Sequence, residues 1–465
     1  MTQPSYTPPP NGWRTFLIVW LTQSVSVFGS ALSIFAINIW LITTVYPAPS
    51  QKPELAWTLS LINIAFAIPI VFFAPISGAW ADRHDRKTTM IVADVANGIA
   101  TTILLALIFT RQFNVGILNV IDFIQATITS FHNAAFDTSY AMLVPEDKLP
   151  RANGMMQTIF SLSGIVSPAI AATLIALPSL ARQGSLPNLF APLGAIQDGA
   201  VLAVSMDALT FFFAAVVPIF LFIPSPTRTD LHTVTGAKKS LWADVKEGAL
   251  YIWHRRSFLW LLGTFTVANF AAGAFVVMPL IVKFQLEADR LVRGFSIEAA
   301  LALLNTAGSV GGVIGGVAIS TWGGLKKNRV YGVLVPMILS GIALMVTGAS
   351  PWLFLTAASL AISQGLVPMM NAHSQAIWQT QVPRELQGRV FSVRRLIAQF
   401  SWPTSTLIMG ALASRFEPGL LVMALGLIFA LAAASGLINP YLRRVEDKEW
   451  IEGQALKNMG RVVAD

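Results

Sequence analysis

Four aspartates lie inside long apolar runs: Asp94, Asp122, Asp137 and Asp207. They are the residues of this chain best placed to do chemistry. A carboxylate at the centre of a bilayer costs about 2.5–3.5 kcal/mol on insertion scales, so an acid kept there marks a pairing requirement or a functional one. The chemistry open to such a group is proton uptake and release. Asp122 and Asp207 lie deepest and are the leading proton-coupling candidates. Asp94 stands one to two turns from a charged loop and reads first as a structural partner of a nearby Arg or Lys. Asp137, near the end of its run, also reads first as structural.

Neutral polar residues at the same depth are candidates for substrate contact: Gln23, Asn38, Asn269, Asn305, Gln364 and Asn371. The competing role for each is an interhelical hydrogen bond, worth about 0.6 kcal/mol on average. Phe35, Phe270, Phe275 and Trp402 could line an apolar cavity, although most of the 29 phenylalanines must face lipid. Other chemistries find no support. Gly236-Ala-Lys-Lys-Ser lacks the earlier glycine of a nucleotide-binding loop, and no nucleophile elbow or His-Glu-x-x-His run occurs. The five histidines share no metal-ligand spacing, and cysteine is absent, which removes disulfides and thiolate chemistry. No cofactor and no metal are expected, and an enzyme is a poor reading.

The elements that position these residues follow from composition. Of 465 residues, 54% are apolar and 12% charged, where soluble domains carry about 25% charged residues. The net charge of +8 is scattered in short clusters between apolar runs, so it points to membrane topology and not to nucleic acid. A spanning helix needs about 20 apolar residues, and twelve runs qualify: 16–43, 56–79, 88–109, 115–142, 154–177, 199–223, 258–282, 297–322, 330–348, 352–378, 391–412 and 419–441. The fourth and tenth are the most interrupted, by Asp122, His132 and Asp137 in one and by Asn371 and His373 in the other. With the N-terminus inside, 24 Lys and Arg fall on the cytoplasmic side and 7 outside, which by the positive-inside rule places both termini in the cytoplasm.

The expected organisation is a disordered tail over 1–14, a six-helix bundle over 15–223, a linker over 224–257, a second six-helix bundle over 258–442 and a tail over 443–465. Within the linker, Leu241, Val245, Ala249 and Ile252 recur at helical spacing. That pattern predicts an amphipathic helix, lying either on the inner membrane face or against the ends of the bundle. No function is read in the external loop over 178–197. An internal repeat supports two parallel halves: Val144-Pro145 with Arg151 and Val382-Pro383 with Arg389 share one offset of 238 residues.

Between the second and third runs stands Gly78-Ala-Trp-Ala-Asp82-Arg83-His-Asp85-Arg86-Lys87. It is similar to the loop signature Gly-x-x-x-Asp-Arg-x-x-Arg-Lys of the major facilitator superfamily, with Asp85 where a glycine is usual. The whole chain resembles that superfamily, and specifically its drug:proton antiporter branch, which contains macrolide efflux proteins and enterobactin exporters. The closer resemblance is carried by Trp20-Leu-Thr-Gln23-Ser-Val-Ser-Val-Phe-Gly29-Ser30, by Leu143-Val-Pro145 with Arg151-Ala-Asn-Gly154, and by Val382-Pro383-x-Glu385-Leu-Gln-Gly388-Arg389-Val-Phe-Ser392. Antiporters of the superfamily carry Gly-Pro in the fifth helix, where this chain has Ser167-Pro168.

The resemblance implies an all-α integral membrane protein with twelve transmembrane helices in two pseudo-symmetric six-helix bundles, the major facilitator fold. It implies a multi-pass protein of a bacterial inner membrane, working as a monomer. Its partners would be a small-molecule substrate, protons and the lipid bilayer. The activity implied is export of a hydrophobic or amphipathic, drug- or macrolide-like molecule by proton antiport with alternating access. A siderophore or lipid-like substrate, or a non-transporting scaffold or sensor on the same fold, are the alternatives. The resemblance also implies an inner gate. Asp82 would meet the helix N-terminus around Gly388–Phe391, with Gly78, Arg83, Arg86, Lys87, Arg151 and Arg389 around it.

Overall fold

The computed structural model describes residues 9–81, 84–110, 112, 114–145, 148–224 and 241–458, and among them there is helix and no strand. The chain divides into two compact units, Met1–Gly236 with Ile297–Thr306, and Ala237–Ser296 with Ala307–Asp465.

In the first unit the long helices are α1 (Gly12–Trp40), α2 (Lys52–Phe72), α3 (Ala74–Ala81), α4 (Arg86–Phe109), α5 (Val115–Leu143), α6 (Leu149–Arg182) and α7 (Ala200–Ile219). Helix α1 starts at Gly12, inside the stretch expected to be a disordered tail, and residues 1–8 lie outside the described residues. The second apolar run is not one helix. Pro69 withdraws a backbone donor near the end of α2, and the chain restarts at Ala74 as α3. Asp85, the departure from the loop signature, has a local reason. It caps α4, accepting the Thr88 N–H at 2.6 Å, a contact of the kind that contributes about 1 kcal/mol. Asn114 caps α5 in the same way through Gly116 N–H at 2.7 Å.

Packing in this unit runs α4 and α1 against α7, α5 against α2 and α4, and α6 against α1. Gly29 and Ser30 of α1 explain the closest approach. A Cβ at Gly29 would collide with Thr210 and crowd Asp207, so only glycine lets α1 lie this near α7. Ser167, beside Pro168 in α6, donates to Phe28 O at 3.2 Å and ties α6 to α1.

The second unit holds α8 (Leu241–His254), α9 (Arg256–Ala271, continuing irregularly to Gln285), α10 (Ile297–Trp322, whose first turns belong to the first unit), α11 (Arg329–Ala349), α12 (Leu353–Gln381), α13 (Arg384–Ala413), α14 (Pro418–Ile438) and α15 (Lys448–Asn458). Helix α11 is held between α12 and α14 by small residues and paired hydroxyls. Gly341 and Gly426 face each other so closely that a Cβ on either would stand 2.7 or 2.6 Å from the other's carbonyl oxygen. Ser340 and Ser363 share a hydrogen bond at 2.8 Å, as do Thr347 and Ser359. These are the contacts that hold helices together where lipid removes the hydrophobic difference between packed and unpacked.

Ten helices among the described residues are long and apolar enough to cross a membrane. The two runs outside that set are α5 and α13. The fourth run was expected to be interrupted, but in the second half the polar one is the eleventh, thinned by Arg394, Gln399, Ser401, Thr404, Ser405 and Thr406, while α12 qualifies despite Asn371 and His373.

The amphipathic helix of the linker forms as α8, and it packs on α13, α9 and α15. The Arg255 guanidinium meets the Glu452 carboxylate through two bonds, 2.6 and 3.0 Å, and stacks 3.7 Å from the centre of the Tyr251 ring. Burial there pushes the Tyr251 hydroxyl up to about 12. The C-terminal segment is therefore not a simple tail. Its helix α15 docks on the linker helix, with Asn458 donating to His254 O at 2.8 Å.

Candidate functional site

Helices α1, α4, α5 and α6 enclose a cavity of about 370 Å³ inside the first unit. Its walls are apolar, with Trp20 and Ile34 from α1, Phe66 from α2, Phe136 from α5, Met156 from α6 and Phe211 from α7. Into this lining project Gln23, Asp94 and His132, one from each of three helices, with Asn97 one turn beyond Asp94. Asp94 is 2% exposed. It accepts the Gln23 Nε2–H at 2.9 Å on one oxygen, and its other oxygen stands 3.4 Å from His132 Nε2. His132 Nε2 has no hydrogen-bond partner, so the second contact is electrostatic in character. The arrangement sets a carboxylate beside an imidazole in a surround that is mostly apolar.

Two further groups of the wall keep hydrogen-bonding capacity unused. Trp20 Nε1 and Asn97 Oδ1 are buried without partners. Buried polar groups are nearly always satisfied, so a donor and an acceptor left open around one cavity give it capacity to hydrogen-bond a polar group. Gln125 Nε2 donates to Thr101 Oγ1 at 2.9 Å behind this wall, and Asn97 Nδ2 donates to Thr129 Oγ1 at 3.4 Å, fixing the Asn97 amide.

The residues singled out in the sequence divide sharply. Asp94 does not pair with Arg or Lys as expected; an imidazole and an amide from other helices take that place, because α4 turns it inward to the cavity. Gln23 is at the cavity but is committed to Asp94. Asp207 is buried between α1 and α7 and accepts Ser30 Oγ–H at 3.1 Å, and Ser30 itself lines the cavity. Asp122 is half-buried on α5 outside the cavity lining, with one oxygen buried and unpartnered. Asp137 is exposed. Asn38, Asn269 and Asn305 each donate to the carbonyl four residues earlier in their own helix. Gln364 sits half-buried beside Gly308, and Asn371 is exposed. Of the aromatics named, Phe35, Phe270, Phe275 and Trp402 do not line this cavity; Trp20, Phe66, Phe136 and Phe211 do.

For the charged loop the outcome is partial. Asp82 and Arg83 lie outside the described residues, and Arg151, Gly388 and Arg389 are described only as helical backbone. Arg86 is buried, donating through Nε to Ala81 O and through Nη1 to Thr138 O, both at 3.2 Å. Lys87 Nζ donates to Ile219 O at 2.7 Å and Leu221 O at 3.0 Å, at the C-terminal end of α7, where helix carbonyls favour a cation. These two residues staple the start of α4 to α5 and α7. Gly78 serves no close contact there, since a Cβ on it would meet nothing within 4 Å.

A family model described as the Major Facilitator Superfamily matches residues 19–406. The chain belongs to that superfamily. It is a multi-pass membrane protein with a small-molecule substrate, and its relatives are membrane transporters rather than enzymes. Macrolide efflux protein A of Streptococcus pyogenes is 26% identical over 435 residues, 92% of this chain and 97% of the relative. Multidrug efflux pump Tap of Mycolicibacterium fortuitum is 24% identical over 397 residues, 83% and 88% of the two chains. Among solved structures, a bacterial homolog of the human lysosomal transporter Spinster, inward-facing and unoccupied, superposes with a TM-score of 0.63 at 14% identity, covering 99% of this chain and 100% of that one. Likeness at that identity concerns the fold alone.

Proposed function

We propose that the protein exports hydrophobic or amphipathic small molecules, of the kind its macrolide- and multidrug-efflux relatives are named for, in exchange for protons. The observation that carries this reading is the Asp94–His132 pair in the wall of a largely apolar cavity with unmet hydrogen bonds. An apolar wall accepts the body of an amphipathic solute by desolvation, and the few polar groups orient it. A proton taken up by the pair changes its net charge by one unit in a low-dielectric setting. Two conformations of the carrier that expose the pair to opposite sides are then weighted differently by protonation, which is the requirement for coupling. Asp207 and Asp122 are second and third sites for the same role, and Asp137 stands last because it is exposed.

In this reading the inner gate works as the family resemblance implies. Asp82 with Arg83 closes against the start of α13 around Gly388 and Arg389, and Arg86, Lys87 and Arg151 hold the loops that carry them. Both termini lie in the cytoplasm, in agreement with the 24-to-7 distribution of basic residues.

Proteoliposomes loaded at one pH and diluted into another test the function directly. A pH gradient should drive accumulation of a macrolide and of a hydrophobic dye, and collapse of the gradient should release them. Uptake that ignores the gradient, or Asp94→Asn pumping at the wild-type rate, would overturn proton exchange at this pair. The variant His132→Gln should pump with an altered pH profile, because one of the two ionisable groups of the pair is removed.

A further inference from the structure

A second cavity of about 370 Å³ lies within the second unit, away from the proposed transport site, between α8, the first turns of α9 and α13. Ala249, Ile252 and Trp253 form one wall, Leu259, Leu262 and Gly263 the second, and Val393 and Ile397 the third. The one hydroxyl in the lining, that of Thr266, donates to Leu262 O of its own helix at 2.9 Å. The groove therefore offers little hydrogen bonding to an occupant, from the Trp253 indole at its rim and the Thr266 oxygen, and a largely apolar chain gains most by entering it. It is continuous with apolar surface on the same helices: Trp260 on α9 and Leu396, Ile397 and Phe400 on α13 are all exposed. Trp253, 68% exposed, stands at the rim, the place an indole takes at a membrane–water interface. Lys246 is exposed on α8, and the spacing Lys246, Ala249, Trp253 puts it on the face of α8 that forms the groove.

We propose that this groove is a binding site for one anionic phospholipid, an acyl chain lying between α8, α9 and α13 and the headgroup phosphate meeting Lys246. The choice of a lipid follows from the largely apolar lining and its continuity with the exposed apolar sides of α9 and α13. The choice of an anionic one follows from the lysine on the groove face of α8, where a basic residue draws an acidic headgroup. The lipid would fill the gap that α8 leaves against the bundle, so the linker helix and the docked α15 would share its occupancy.

Gly263 supplies a clean test, because a Cβ there meets nothing within 4 Å and points into open space. Gly263→Leu fills the groove with no neighbour to displace. Full-length protein is purified in detergent, titrated with phosphatidylglycerol, with phosphatidylcholine of the same chains and with soluble glycerol phosphate, and the bound species are counted by native mass spectrometry. The wild type should retain one phosphatidylglycerol several-fold more than phosphatidylcholine and should not retain glycerol phosphate. Gly263→Leu should lose the retained lipid of either kind, while Lys246→Gln should keep a bound lipid and lose the preference. Retention of glycerol phosphate alone would reassign the site to a free anion and overturn the acyl-chain proposal. Equal retention by wild type and Gly263→Leu, or no retained lipid in the wild type, would also overturn it. A dimer appearing in place of the lipid would give the groove to a second copy. Should Gly263→Leu fail to fold, a phosphatidylglycerol with a photoactivatable chain decides the matter on the wild type. Crosslinks must fall within residues 249–266 and 393–397, and crosslinks elsewhere alone refute the site.

Discussion

Each unit buries one histidine on a long polar-interrupted helix, and the two are used in opposite ways. His373, on α12, has both ring nitrogens engaged by the backbone: Nδ1 donates to Met369 O at 2.7 Å and Nε2 accepts the Leu325 N–H at 2.9 Å. The chain is shaped around its ring. Gly324 sits at φ +72°, with its would-be Cβ 2.8 Å from Nε2, and Gly332 is bare for the same reason. The arrangement fixes the orientation of the ring and pins the loop between α10 and α11. His132, on α5, has a carboxylate beside it at an oblique 3.4 Å, an Nε2 without a hydrogen bond and a cavity in front of it. One histidine is finished and the other is poised. The same contrast extends to acids: among the described residues the buried carboxylates, Asp94 and Asp207, both lie in the first unit. The second unit is closed by glycines and paired hydroxyls instead. Under the proposed mechanism, chemistry and scaffold would fall in different halves of a repeated fold.

The sharpest way to break this comparison is to remove the acid of the poised pair. Asp94→Asn keeps the shape and can still hydrogen-bond Gln23, but it cannot carry the charge that faces His132. A coupling free energy between two sites is typically about 1–3 kcal/mol, so removing the ionisable group should lower pH-driven efflux about 5- to 150-fold. Folded yield, read by size-exclusion chromatography, should be unchanged. Full activity in Asp94→Asn would make the pair structural and erase the distinction between the two histidines.

The converse substitution, His373→Leu, should move stability and spare the transport step. It orphans the Leu325 N–H, and a buried group left without its partner costs about 1–3 kcal/mol. A Tm lowered by several degrees in detergent is expected, with transport per folded molecule close to wild type. A variant of normal stability that fails to pump would mean that His373 also belongs to the mechanism.

How much of this was legible beforehand depends on whether the information is local. The apolar runs, their helical state and the family were legible, because run length against bilayer thickness is a property of each segment alone. Twelve long helices stand where the runs predicted them, apart from the Pro69 break and the N-terminal extension of α13 to Arg384. The site was half legible. The sequence marks Gln23 as a substrate contact or an interhelical hydrogen-bond partner, and the bond to Asp94 is of the second kind, while Asp94 itself reads as a partner of a nearby Arg or Lys. His132 was passed over because the histidines were weighed only as metal ligands. Gln23 and Asp94 are 71 residues apart in the chain, and no spacing rule joins them. The polar turn Asp94–Asn97 in an otherwise apolar helix was the one signal that could have pointed inward. The asparagines that are candidates for substrate contact illustrate a different limit. Asn38, Asn269 and Asn305 satisfy themselves on their own helices, which a sequence shows no differently from a ligand-facing amide.

A smaller test refines the first unit from within. Gln23→Leu removes the amide that fixes Asp94 but leaves the carboxylate and the imidazole. The ionisable pair itself survives this change, so efflux should drop by less than in Asp94→Asn. The pH dependence of transport should shift, since Asp94 would then face His132 without a competing donor. A loss as large as that of Asp94→Asn would show Gln23 to be a substrate contact in its own right, as its depth in α1 first suggested.

The smallest effect is expected where charge in the second unit meets solvent. Asp289 lies in the short helix Glu287–Val292, outside the spans. It accepts Arg293 Nε–H at 2.9 Å and the Leu353 N–H that opens α12 at 2.8 Å. The Arg293 bond first, and the Leu353 bond second, hold its carboxyl below the ordinary value of 3.8. A depressed acid stabilises the fold in its ionised form, so its contribution is full above the ordinary value and is lost as pH falls through the depressed one. Asp289→Asn should therefore lower Tm slightly at neutral pH, by less than His373→Leu does, and the difference from wild type should shrink as the pH drops below about 4. Transport should not change, because this carboxylate anchors a helix start and faces no cavity described in either unit. A Tm difference that stays constant into acid would mean that the packing of the side chain, and not its charge, holds the start of α12. A transport defect would extend the working ionisable groups into the second unit and dissolve the division between the halves.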